Sequence, residues 1–270
     1  MSNNSQELSR TGGAIELKVE NGVAWVTLNR PDVFNSFNRE MALMLQETLD
    51  LCEKETSIRA IVITGNGKAF CAGQDLKEVT TPELNPGFRK ILEEHYNPII
   101  LRIRSIEKPV IAAVNGVAAG AGANIALACD FVVANEHASF IQAFSKIGLV
   151  PDSAGTFFLP RLIGFQKATA LMMSGDKVSA LEAVSMGMIY KLFPTATFED
   201  EVKALAENLA QMPTKALGLT KRLLNQSMNN TLEQQLALES DLQIEASSSN
   251  DYNEGVTAFV EKRKPEFKGN

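Results

Sequence analysis

The sequence predicts an α/β fold with parallel strands and a helical C-terminal region. Two observations carry this: over the first half, apolar strand-like runs alternate with segments of helical period, and beyond about residue 153 the period is almost wholly helical. Residues 14–20 and 23–28 alternate around Asn21-Gly22, a strong hairpin signal, so the chain should open as a β-hairpin. After Asn29-Arg30-Pro31, Met41, Met44, Leu45, Leu49 and Cys52 recur at helical spacing, predicting an amphipathic helix that ends near Lys54. Residues 58–64 read as a buried strand closed by Gly65-Asn66-Gly67, and residues 80–87 as an exposed loop. A helix is expected over 88–106, kinked at Pro98. Residues 109–116 form a second buried strand running straight into the small-residue helical segment that starts at Ala118, and 131–134 a third. Strand, helix, strand, helix, strand implies parallel pairing with right-handed crossovers. Helices are expected at 164–173, 179–186, 199–210, 213–229 and 231–248.

The 270 residues, 45% hydrophobic, suffice for one main domain with an appendage, divided here as a core over 1–199 and a helical region over 200–270. Net charge is −6 and the 26 Lys and Arg form no basic stripe, so nucleic acid is not expected as a partner. Cys52, Cys71 and Cys129 lie far apart without metal-ligand spacing and read as buried thiols; no metal is expected. The polar N-terminus lacks the pattern of a signal peptide, and no run approaches a membrane span, so a cytoplasmic protein without membrane contact is expected. Only His95 and His137 could serve as histidine bases. His95 with Tyr96 reads as bordering a pocket or as a half-exposed helix face, and His137, beside Glu136, as solvated.

Two strand-to-helix junctions stand out. The first runs Ala69-Phe70-Cys71-Ala72-Gly73-Gln74-Asp75-Leu76, the second from Asn115-Gly116-Val117 through Gly120-Ala121-Gly122-Ala123. Such junctions leave backbone N–H groups without partners, and small residues let a ligand approach them. Each alone reads first as an ordinary packing device. Gly120-Ala121-Gly122 is no dinucleotide fingerprint, because Ile125 stands where its third glycine belongs. Together the two could supply paired donors for an oxyanion.

Leu28-Asn29-Arg30-Pro31, Ala69 to Leu76, Ala113-Val114-Asn115-Gly116, Gly148-Leu149-Val150-Pro151 and Glu254 to Phe259, in this order and spacing, resemble the crotonase, or enoyl-CoA hydratase/isomerase, superfamily over nearly the whole chain. The resemblance implies a crotonase (ClpP-like) spiral of ββα units, a C-terminal helical trimerisation region, and a homotrimer or homohexamer. It implies an acyl-CoA substrate, with coenzyme A part of that substrate and no other cofactor, and an oxyanion hole made by the N–H groups of Ala72 and Ala121. By resemblance Val33, Phe34 and Ser36 cradle the coenzyme, and Phe267 with basic neighbours of an adjoining subunit reaches its adenine and phosphates. Read alone, Lys262, Arg263 and Lys264 are a solvated run. Ala69, Gly73, Gln74, Asp75, Leu76, Val117, Gly120, Phe144 and Pro151 complete the expected binding residues, Asp75 being weighted toward loop support.

The two glutamates of the family's hydratases fall here on Asn124 and Phe144, which removes a two-carboxylate hydration mechanism. Asp152 is the acid that remains. It reads either as a helix cap or as the lone carboxylate with which family isomerases shuttle a proton, its base strength raised by an apolar setting. Phe70 to Leu76, Tyr96-Asn97-Pro98, Val117 to Ala123, Ala143 to Lys146 and Pro151-Asp152 resemble most the isomerases of ring 1,2-epoxyphenylacetyl-CoA in phenylacetate degradation. The Ser153-Ala154-Gly155 run is less glycine-rich than that subgroup. A fatty enoyl-CoA isomerase (C3 to C2) or a hydratase-like protein of β-oxidation, and a non-catalytic CoA or RNA binder, are the alternatives.

Overall fold

In the computed structural model, which describes residues 8–270, the chain opens on the expected hairpin. β1 (Ile15–Glu20) and β2 (Val23–Leu28) pair antiparallel, with Asn21 and Gly22 both left-handed at φ 52° and 77°, as a two-residue hairpin turn requires. β3 (Ala60–Gly65), β4 (Ala69–Cys71), β5 (Val110–Val114), β6 (Val117–Ala119), β7 (Phe131–Asn135), β8 (Ser139–Ile141), β9 (Lys177–Ser179) and β10 (Lys191–Phe193) follow. One sheet has the order β1-β2-β3-β5-β7-β10 and is parallel from β2 onward; the other runs β4-β6-β8-β9. β3, β5 and β7 of the first sheet are each followed by a short strand of the second, β4, β6 and β8. That repeat is the ββα spiral.

β4, β6, β8, β9 and β10, each three residues long, carry no periodic signal in the sequence. The strand at 110–114 therefore does not run straight into a helix: β6 intervenes before Ala121–Leu127. The helix expected just after Asp152 runs over Gly155–Ile163, while the helix Asn250–Glu261 has no counterpart in the sequence reading.

Pleating sends alternate residues of β3 to opposite faces. Ile61 and Ile63 join the main core with Met41, Leu45 and Leu49 of the helix Arg39–Lys54. Ala60 and Val62 face the other way, under Phe198, Val202 and Ala206 of the helix Phe198–Ala210. A division at 199/200 thus falls in the first turn of a helix that covers the sheet.

The predicted helix over 88–106 is three pieces: Phe88–Lys90, a π-helical turn Ile91–Tyr96, and Asn97–Ser105 with Pro98 in its first turn. Pro98 has no N–H to give the carbonyl four residues back. The carbonyl of Glu94 instead accepts from Gln46 Nε2 at 2.7 Å. In the tail, Lys221 of the helix Thr214–Ser227 is buried and donates to the Ile103 carbonyl at 2.6 Å and to Asp130 Oδ2 at 2.7 Å. Arg104 holds the other oxygen of Asp130 at 2.9 Å.

All three cysteines are buried and free, as expected. Among the described residues no helix is long and apolar enough to cross a membrane, and no His, Cys, Asp and Glu cluster could hold a metal.

Candidate active site

β4 and β6 lie side by side and parallel, with Ala69 opposite Val117 and a register shift before Cys71 meets Ala118. Their C-terminal ends therefore bring the two junctions together. Contact is close: a Cβ on Gly122 would sit 2.5 Å from the Cys71 carbonyl oxygen, and one on Gly116 would sit 2.1 Å from that of Lys68. Only glycine fits at either place.

The first junction is laced from the turn after β2. Buried Asn35 accepts from Arg30 N at 2.8 Å and donates to the carbonyls of Asn66 and Ala69 at 2.9 and 2.8 Å. The Phe34 carbonyl then receives the N–H of Ala72 at 3.0 Å. This corrects the sequence reading: the Ala72 donor is taken by the protein itself. Ala69 is corrected too, being buried with its carbonyl on Asn35, so it belongs to the scaffold.

The neighbouring peptide behaves differently. Phe37 N–H donates to the Gly73 carbonyl at 2.7 Å, and Asp75 N–H to the Phe37 carbonyl at 2.8 Å. A trans peptide points its C=O and N–H in opposite directions, so the Gln74 N–H is turned away from Phe37. Among the described residues that N–H finds no acceptor, and neither does that of Ala121 in the first turn of its helix. Gly73 lies beside Ala121: a Cβ on it would be 3.5 Å from Ala121 N and 3.0 Å from the Ala119 carbonyl oxygen. The two open donors are Gln74 and Ala121. Sequence reading had placed Gln74 in the site but not as a donor; the residue following a left-handed glycine was the usable signal.

Asp75 caps the helix Leu76–Thr80 through Lys77 N and pairs with Arg30 at 2.8 Å, which fits loop support. Ser36 is buried and donates to the Val33 carbonyl at 2.9 Å. Val33, Phe34, Leu76 and Val117 are exposed apolar side chains of the same two junctions and the turn that laces them. Gly120, left-handed at φ 53°, is the cap of the Ala121 helix, and a Cβ there would touch the ring of buried Phe144 at 3.8 Å.

Asp152 does not cap a helix with its side chain. The helix starts at Gly155, its cap residue is Ala154, and Asp152 Oδ1 instead accepts from Ser153 Oγ at 2.8 Å. Ser153 and Ala154 are both left-handed, at φ 50° and 58°, a conformation costing about 1 kcal/mol or more per non-glycine residue. What holds the turn is Asn124. Its Nδ2 donates to the Asp152 carbonyl at 2.8 Å, while its Oδ1 accepts from Gln142 Nε2 at 2.8 Å. A Cβ on Gly155 would collide with Asn124 at 2.3 Å, which explains glycine there. Burial raises the pKa of Asp152, and the Ser153 hydroxyl lowers it by less. Pro151 is half-buried beside it.

His95 and Tyr96 are both buried, so the half-exposed alternative does not hold. His95 lies against Arg39, Nε2 to Nη1 3.1 Å, and burial lowers its pKa. His137 is exposed, as expected. Phe267 packs near Gly255 in the tail of its own chain, and its carbonyl accepts from Arg59 at 2.8 Å. Arg263 is paired with Glu254 at 2.6 Å.

The sequence profile of the enoyl-CoA hydratase/isomerase family matches residues 18–270. The chain is 47% identical to the 1,2-epoxyphenylacetyl-CoA isomerase of Escherichia coli strain K12, over 93% of its own length and 97% of that protein. It is 36% identical to the 2,3-dehydroadipyl-CoA hydratase of the same organism, over 92% and 95% of the two chains. A crystal structure of an enoyl-CoA hydratase from Polaromonas sp. JS666 superposes with a TM-score of 0.87 at 34% identity, covering 94% of this chain and 99% of that one.

Proposed function

The chain belongs to the enoyl-CoA hydratase/isomerase family, and from that premise we propose that it is an acyl-CoA isomerase, acting on ring 1,2-epoxyphenylacetyl-CoA. The observation that carries the isomerase reading is the single carboxylate. At the positions where family hydratases keep two glutamates stand Asn124, which spends both ends of its amide on Asp152 and Gln142, and buried Phe144. No second acid is left there to hold a water.

In this reading the thioester oxygen sits against the N–H groups of Gln74 and Ala121, where negative charge develops as the α-carbon loses a proton. Asp152 takes that proton and returns it elsewhere on the acyl group, so the product is an isomer and no atom is gained or lost. Burial helps by making the carboxylate a stronger base. Coenzyme A enters as part of the substrate, and no other cofactor is needed. Val33, Phe34, Leu76 and Val117 offer apolar surface at the two junctions. The exposed Leu232, Ile244, Phe259 and Val260 of the tail helices support assembly as a homotrimer or homohexamer.

The test is the Asp152→Asn variant assayed with epoxyphenylacetyl-CoA, a 3-enoyl-CoA and crotonyl-CoA. Loss of about 10²–10⁴ in kcat on an isomerisable substrate is expected, with no hydration of crotonyl-CoA by either form. Near-normal isomerisation by the variant removes Asp152 from the mechanism. Preference for the 3-enoyl-CoA would instead favour the fatty enoyl-CoA isomerase reading.

A further inference from the structure

Tyr96-Asn97-Pro98 stood out in the sequence, yet the proton transfer described above leaves it without a task. Tyr96 ends the π-helical turn Ile91–Tyr96, a wide turn of a kind often found at functional sites. The side chain is buried. Its ring meets that of Phe37 edge to face, centroids 5.8 Å apart, and its hydroxyl donates to Gln74 Oε1 at 2.8 Å. Gln74 Nε2 in turn donates to buried Glu78 Oε2 at 2.7 Å. Both ends of the Gln74 amide are therefore held.

We infer that Tyr96 is a positioning residue that fixes the direction of the Gln74 N–H donor through the Gln74 side chain. The inference rests on the acyl-thioester reading of the site. A donor kept free for a ligand cannot be held by its own hydrogen bond, so its direction must be set by its neighbours. At the Gly73–Gln74 peptide the carbonyl is pinned by Phe37 N–H, and the next N–H, that of Asp75, by the Phe37 carbonyl, which leaves a tilt of the Gln74 peptide plane as the remaining freedom. The Gln74 side chain, tied to Tyr96 on one side and Glu78 on the other, removes it. Tyr96 braces both anchors, Phe37 by its ring and Gln74 by its hydroxyl. Burial pushes the Tyr96 phenol well above its ordinary pKa, so it stays a donor at neutral pH.

The experiment compares wild type with Tyr96→Phe, Gln74→Ala and the double variant. The probe is cinnamoyl-CoA, whose absorbance moves to longer wavelength as donors polarise its carbonyl, read beside steady-state kinetics on the isomerisable substrate identified above. Tyr96→Phe keeps the ring against Phe37, and Gln74→Ala lies outside the core and keeps the N–H. Both single variants should lose most of the shift. They should lose about tenfold in kcat, less than the 10²–10³ of a donor removed outright, with KM unchanged and the pH profile of kcat unmoved. The double variant should be no worse than either single one, since both cut the same connection. A shift fully kept in both single variants, losses that add in the double variant, or a rise in KM at constant kcat overturns this role while leaving the oxyanion reading intact. Absence of any shift in wild type overturns the oxyanion reading, and the role of Tyr96 with it.

Discussion

The two junctions end in the same thing, an open backbone N–H, and are built by opposite means. At Ala121 the peptide is placed by removing side chains: Gly116 and Gly122 press against Lys68 and Cys71, and the helix beyond is wholly buried. At Gln74 it is placed by adding them, with Arg30, Asn35, Phe37, Glu78 and Tyr96 each holding part of the loop. The first method gives rigidity through packing and tolerates no extra atom. The second gives a donor whose direction can be tuned by groups several residues away. The candidate site thus has a fixed half and an adjustable half.

The contrast can be broken by putting atoms where there are none. Gly122→Ala, with its Cβ 2.5 Å from the Cys71 oxygen, should cost about 1–3 kcal/mol or more of stability, read as a lower denaturant midpoint. An unchanged midpoint would refute the packing account of the Ala121 half. Gly73→Ala forces a side chain into φ 93° and to 3.0 Å from the Ala119 oxygen. Here the expected loss is mainly catalytic, about 10²-fold in kcat, with about 1–3 kcal/mol of strain; equal kcat would show that the Gln74 half is not poised.

Asn124→Ala tests whether the fixed half also carries the acid. It removes one donor from the Asp152 carbonyl and leaves Gln142 Nε2 unpaired, for about 1–3 kcal/mol and roughly tenfold in kcat. A stability loss without a rate loss would separate Asn124 from the chemistry. Smaller effects are expected from protons. The Asp152 pKa is raised in the folded state, so its protonated form is the stabilising one. That stability is complete below the ordinary aspartate pKa and is lost as pH rises through the folded value. Asp152→Asn should therefore melt higher than wild type at pH 8, with the gap closing near pH 4, while wild-type kcat climbs over the same interval as the base ionises. Least of all should change on exposure to iodoacetamide at neutral pH. Cys71 lies between the two halves, but burial pushes its thiol up to about 12, and native activity should survive.

What the sequence made legible follows the same division. Small residues at 115–123 can be read in one dimension, and Ala121, whose N–H is open, stands among them. Ala72 was mistaken for its partner because the acceptor that takes its N–H, the Phe34 carbonyl, and the Phe37 N–H that turns the Gly73–Gln74 peptide come from a turn more than thirty residues earlier, which leaves no local signal. The second sheet stayed hidden because β4, β6, β8 and β9 are too short to show alternation. The hairpin and the helix Arg39–Lys54 were legible because each repeats its pattern over several residues. The job of Asn124 was invisible, since its partner at Asp152 is 28 positions away.

Lys221 has a consequence for how such a chain can be cut or recombined. Its ammonium sits inside the core, shared between Asp130 and the Ile103 carbonyl. A protease nick or a fusion partner replacing the tail from before residue 221 would strand the Asp130 carboxylate with Arg104 as its remaining ionic partner. The tail is therefore a poor module for swapping between relatives: a graft has to bring its own lysine to the same place.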